Sequence, residues 1–317
     1  MRRQSIGSLF FGCAVVAGAC RVAASEVVNA ATRIGGQVLL HSNRQSPSDL
    51  EITGMVQGVA ANSAGYIRYA DLARMPQVAA VIDDDQDYPG VTMHASGVYL
   101  DTLAKAIGAS PSSDLIDALC TDRYRSHYPA DAIAAHHPIL VLKIDGMRAS
   151  AWAAHAHQYD PGPYLVLYER FVPAFHVLSH VDRPQLPTNV VRLNFSTTAA
   201  TFGAIAPHGS FAPDSPEQQG FVIAKQNCLR CHSQGPYGGT KSGRTWTALS
   251  TWAREQPAFF AGYIHNPKAT EPHAHMPANQ EYDAATLAAL TAYFRTFTAP
   301  TAAAKPYKDP AQEPTRR

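Results

Sequence analysis

The chain has 317 residues, enough for two parts that each bury a core of their own. Its 26 basic and 25 acidic side chains nearly cancel, and no run of Lys or Arg forms a stripe, which argues against nucleic acid as a partner.

Arg2 and Arg3 make a charged start, Ile6 to Ala19 an apolar core and Val22-Ala23-Ala24 a small-residue cleavage site. Residues 1–24 are therefore expected to be an export signal cut before Ser25, and the expected location is the periplasm. The apolar run is shorter than the roughly 20 residues that span a bilayer. A retained anchor or a lipid on Cys20 stays open, the latter against an Ala17 that stands where a bulkier aliphatic residue is expected. Loss of the leader removes Cys13 and Cys20 and leaves Cys120, Cys228 and Cys231, too few for a disulfide framework.

Residues 25–205 read as mixed α/β. Ile139-Leu140-Val141-Leu142 and Tyr164 to Tyr168 have the continuous apolar character of buried strands, and Val190 to Phe195 that of a half-buried one. Leu100 to Ile107 has apolar residues three and four apart and stops at Gly108, as a helix does. Residues 206–214, rich in proline and glycine together with Pro216, form the expected linker.

Residues 215–300 are expected to be all-helical, with no strand beyond the linker. Ser215 reads as an N-cap, Pro216 as the first helical residue and Gln218 as the partner closing a capping box. Asp283 caps a last helix in which Leu287, Leu290, Phe294 and Phe297 recur at helical spacing. Residues 301–317, rich in Ala, Pro and Lys, are expected to be a disordered tail.

The chemistry concentrates at Cys228-Leu229-Arg230-Cys231-His232, the attachment pattern of c-type haem. Two thiols three residues apart on one helical turn can add to the two vinyl groups of a haem, and the next residue then offers its imidazole to the iron. A zinc site would want two more ligands of matching type, and a redox CxxC would want a βαβ context; neither is supplied here.

Residues 215–298 resemble a class I cytochrome c domain. Gly220-Phe221 before the motif and Tyr293-Phe294 in the last helix are similar to that family's glycine and aromatic helix crossing, and Asn266-Pro267 followed by Met276-Pro277 is similar to its axial-ligand loop. The resemblance implies one covalent haem c, thioethers at Cys228 and Cys231, and His232 and Met276 as axial ligands of the iron. His265, His273 and His275 are rival sixth ligands. Met with His gives a higher potential than two histidines, which suits an electron acceptor. The family usually places a proline about a dozen residues after the motif histidine, its carbonyl accepting from the imidazole; that position here falls near Arg244, so the acceptor is unassigned. Trp246 and Trp252 are candidates to touch the haem or to be ordinary core residues.

A looser resemblance runs through Leu50-Glu51-Ile52-Thr53-Gly54, Tyr69-Ala70-Asp71-Leu72, Ala95 to Leu100, Thr121-Asp122-Arg123-Tyr124 and Pro138-Ile139-Leu140. These segments look like the molybdopterin-binding domain of sulfite-oxidase-type oxidoreductases. That family's metal-ligating cysteine has no counterpart between Val81 and Thr92, where Asp83, Asp84, Asp85 and Asp87 stand instead. The fold is expected to persist without molybdenum, so molybdopterin stays open as a cofactor but is not favoured. Cys120 is expected to be a buried apolar thiol, and His136-His137 and His155-Ala156-His157 ordinary histidines rather than a copper or zinc site.

The favoured reading is an exported electron-transfer protein with a redox partner protein in the periplasm, a membrane-associated complex staying open. One alternative is an oxidoreductase whose upstream part oxidises a small substrate at a pterin-type site and passes electrons to haem. Another is a haem-based sensor or binding module, which would need a displaceable sixth ligand.

Overall fold

The computed structural model describes residues 31–34, 38–83 and 85–297. The expected export signal, the tail at 301–317, Cys13, Cys20 and Asp84 lie outside them. In chain order the first elements are β1 (Ala31–Ile34), β2 (Val38–His41), β3 (Leu50–Gly54), β4 (Ala64–Ile67), α1 (Tyr69–Leu72), β5 (Val78–Ile82), β6 (Met93–Tyr99) and α2 (Leu100–Ala106). There follow β7 (Leu115–Cys120), β8 (Arg125–Pro129), α3 (Ala130–His136), β9 (Ile139–Ile144), β10 (Met147–Arg148) and α4 (Ala149–Ala156). Then come β11 (Leu165–Leu167), β12 (His176–Val177), β13 (His180–Val181), β14 (Val190–Ser196) and α5 (Thr198–Gly203). The remainder is α6 (Pro216–Asn227), a ribbon of β15 (Ser233–Gln234) and β16 (Tyr237–Gly238), α7 (Trp246–Glu255), α8 (Pro257–His265), α9 (Pro267–Thr270) and α10 (Ala284–Arg295).

The chain is thus mixed α/β. A seven-stranded sheet runs β1-β2-β4-β3-β14-β7-β8, with β14 parallel to β3 and antiparallel to β7. A five-stranded sheet runs β10-β9-β6-β5, with β11 on β9. The unbroken apolar run of β9 follows from burial on both faces. Leu140 and Leu142 join the core shared with Ile52, Val98 and Leu193, while Ile139 and Val141 join a second core with Met93, Trp152 and Leu165. Each fully buried Leu, Ile or Val contributes about 1.5–3 kcal/mol of transfer free energy, so two-sided burial is what holds β9 at the centre.

The helical part has its own core of Ile223, Leu249, Phe260, Leu290, Tyr293 and Phe294. Ser215 caps α6 by accepting from the Gln218 N–H at 3.3 Å, and Asp283 caps α10 by accepting from the Thr286 N–H at 2.8 Å. The expected reciprocal arm of the capping box is replaced: the Ser215 N–H donates to the Ala212 carbonyl. Phe297 lies beyond the end of α10, buried with its core nonetheless.

The expectation of no strand beyond residue 214 is corrected by the β15–β16 ribbon, only two residues a side and therefore invisible to periodicity. The β12–β13 hairpin packs on the helices: the Ser179 N–H donates to the Thr286 hydroxyl, and the His180 ring bonds Tyr282 and Gln226. Among the described residues no helix is long and apolar enough to cross a membrane.

Candidate functional site

Residues 228–232 continue the last turn of α6. The Cys228 N–H donates to the Ala224 carbonyl, and the Cys231 and His232 N–H groups both return to the Cys228 carbonyl at 3.2 and 3.0 Å. This winding puts both thiols and the imidazole on one cavity of about 760 Å³, which Ile264, Met276 and Leu290 also line. The structure therefore gathers all four residues that the sequence singled out. His265, His273 and His275 do not line the cavity, and the last two are exposed, whereas Met276 is half-buried against the helical core.

His232 is oriented. Its Nδ1 lies 2.8 Å from the Arg244 carbonyl, which can only accept, so Nδ1 carries the proton and Nε2 keeps its lone pair. Arg244 is thereby the acceptor left unassigned by the sequence; a backbone oxygen carries no side-chain signature, and the missing proline hid it. Burial holds the His232 pKa below its usual value, with the Arg244 bond opposing. The imidazole is neutral near pH 7, the form a metal requires.

The loop bearing Met276 is tied to the end of α6. The Asn227 side-chain amide donates to the Asn279 side-chain oxygen at 2.9 Å and to the Tyr282 hydroxyl at 3.0 Å, and Asn279 donates back to the Ile264 carbonyl. Burial pushes the Cys228 thiol up to about 12. Trp246 and Trp252 do not line the cavity: Trp246 is fully buried and donates to the Tyr293 hydroxyl at 3.1 Å, and Trp252 packs edge-on against Phe259.

The upstream part closes the cavity beside the two thiols. Cys120, Asp122 and Tyr124 from the end of β7 and its turn line it with Asp87 and Tyr159. Arg230, inside the CxxCH motif, donates to the Tyr124 hydroxyl at 3.1 Å and also to Asn227. Two backbone bonds join the same segments, Arg125 N–H to the Arg230 carbonyl at 3.0 Å and Thr240 N–H to the Arg123 carbonyl at 3.1 Å. Gly239 permits this approach, since a Cβ there would stand 1.9 Å from the Arg230 carbonyl oxygen.

Cys120 is buried as expected, yet it reaches the cavity although it follows Val81–Thr92 in sequence. Its thiol is pushed far up by burial, with the Asp122 charge adding. The acidic run forms a turn: Asp85 accepts from the Asp87 N–H, and Asp83 from the Thr92 hydroxyl. His136 pairs with Asp182 at 3.4 Å, and His137 and His157 are left-handed C-caps of α3 and α4.

No family model matches the chain, and no curated protein matches it. Among solved structures it is similar to the sulfane dehydrogenase SoxCD from Paracoccus pantotrophus, with 17% identity and a TM-score of 0.33 over 49% of this chain and 40% of that one. A likeness of this size establishes neither fold nor function.

Proposed function

We propose that the protein is an exported c-type cytochrome that carries electrons through one covalently bound haem, built as a cytochrome c domain on a sulfite-oxidase-like scaffold. The observation that carries this reading is the convergence of Cys228, Cys231, His232 and Met276 on one cavity, with the imidazole already oriented. The donors fit the group: two thiols one helical turn apart, a neutral imidazole and a thioether, around an apolar wall of Ile264 and Leu290. Bound there, haem would supply a one-electron ferric–ferrous couple. The chain's own contribution is to hold His232 through the Arg244 carbonyl and to fix the Met276 loop through Asn227 and Asn279.

The upstream part covers the cavity beside the thiols, where Tyr124 and Arg230 bond across the junction. In this reading it protects that edge and presents a docking face to a redox partner in the periplasm. The test is direct: in protein matured by an export route that attaches haem, the haem resists acid–acetone extraction, and a Cys228→Ala, Cys231→Ala double variant loses it. Haem that extracts freely from the natural sequence rules the assignment out.

Met276→Ala tests the sixth ligand. The near-infrared sulfur-to-iron band of the oxidised protein is expected to vanish and the potential to fall by on the order of 0.2 V, within the roughly 0.8 V over which axial ligands set haem potentials. A band that survives the substitution assigns the sixth position to another side chain.

A further inference from the structure

The strands that bury apolar residues on one face carry polar ones on the other, and the helical part covers them. A second cavity of about 250 Å³ lies there, lined from the sheet by Thr53, Asp117, Arg125, Arg192, Asn194 and Ser196 and from the β15–β16 turn by Pro236 and Tyr237. It shares no lining residue with the larger cavity.

Most of its polar groups are committed. Asp117 Oδ1 lies 2.8 Å from the His127 ring and Oδ2 accepts from the Asn194 amide at 3.2 Å, while Asn194 in turn accepts from the Thr53 hydroxyl at 3.0 Å. Glu51 is shared by two guanidiniums, Arg192 at 2.7 Å and Arg44 at 3.3 Å. Arg125 is less committed. Arg125 makes no ion pair among the described residues, and its one side-chain bond runs from Nη1 to the Pro236 carbonyl at 3.1 Å. The Arg125 Nε–H is buried without an acceptor, and the Arg192 Nε, 2.7 Å from Glu51, makes no aligned hydrogen bond to it. Burial holds the Arg125 guanidinium below its ordinary pKa, Asp117 opposes this, and the like charge of Arg192 adds to it. The cavity is thus lined by two guanidiniums, Arg125 and Arg192, and one carboxylate, Asp117, with Glu51 paired to Arg192 beside it.

The geometry points to a small inorganic oxyanion, of the sulfate or phosphate kind, held between Arg125 and Arg192. Guanidinium forks match tetrahedral oxyanions, and the excess positive charge selects an anion. The hydroxyls of Ser196 and Thr201, 3.5 Å apart, add donors on the same wall. The volume falls below the roughly 300 Å³ at which drug-sized ligand pockets begin, which excludes a nucleotide. Because Arg125 also holds the Pro236 carbonyl, the bound anion would brace the turn that follows the CxxCH motif.

The experiment is thermal unfolding of the full haem-loaded chain, followed by far-ultraviolet circular dichroism, as sodium sulfate or phosphate replaces chloride at constant ionic strength. A saturable rise in melting temperature is expected, as for any ligand that binds the folded state. Arg192→Gln and Arg125→Gln are each expected to weaken the apparent affinity at least tenfold, with Lys105→Gln, remote and exposed, unchanged. Should Arg125→Gln fail to fold, Arg125→Lys keeps the charge without the fork and is expected to weaken binding as well. A linear, unsaturated rise marks a general salt effect and overturns the proposal. So does an equal response to chloride, or variants that respond as the natural sequence does.

Discussion

Gly220→Ala is expected to lower the melting temperature of the helical part by roughly 10 °C or more. A Cβ at Gly220 would stand 2.2 Å from the Ala289 carbonyl oxygen and 2.6 Å from the Tyr293 Cβ, both on α10. Neither neighbour can yield alone, since one is helix backbone and the other is rooted in it. The two helices must separate where Phe221 and Tyr293 pack with ring centroids 5.8 Å apart. Alanine is the better helix former by about 1 kcal/mol, so propensity alone predicts stabilisation. Overpacking of a tight core costs about 1–3 kcal/mol and a forced backbone shift more, so the crossing wins. A loss of about 2 kcal/mol corresponds to roughly 8–16 °C in a unit of this size. Differential scanning calorimetry of the haem-loaded protein decides it, and an unchanged or raised melting temperature shows that α6 and α10 do not cross at Gly220.

That crossing was expected from the resemblance of Gly220-Phe221 and Tyr293-Phe294 to a family pattern, whereas the two helices themselves were legible from their caps, which are local chemistry. Ser215 and Asp283 declare their helices within four residues. The strands at 139–144 and 190–196 were legible for a similar reason: two-sided and one-sided burial leave different patterns. What the pattern omitted is long-range. Nothing local says that β14 enters between β3 and β7, with β3 more than a hundred residues away, or that this insertion sets Arg192 near Arg125. Cys120 follows Val81–Thr92 along the chain, whereas the cavity it joins is assembled by sheet topology. Nothing local pairs Arg230, between the two cysteines, with Tyr124.

His232→Ala is expected to abolish the low-spin spectrum of the haem-loaded protein, because no neighbouring side chain is placed to substitute. The described residues lining the cavity include no second histidine, and His265, His273 and His275 lie off it. The thioethers at Cys228 and Cys231 would still tether the haem, so the variant separates attachment from ligation. Covalent haem should persist at reduced yield, with a high-spin absorption spectrum and a potential no longer set by a His–Met pair. Stability should fall as well, since the substitution removes a buried bond to the Arg244 carbonyl and leaves that oxygen without its partner; an orphaned buried acceptor costs about 1–3 kcal/mol. Exogenous imidazole provides the sharper readout. It can enter the space left by the side chain and accept the same orientation from Arg244, restoring the low-spin bands without restoring the chain's own tether. A variant that stays low-spin with no added ligand would show that the iron takes its axial nitrogen from elsewhere, and would remove His232 from the site.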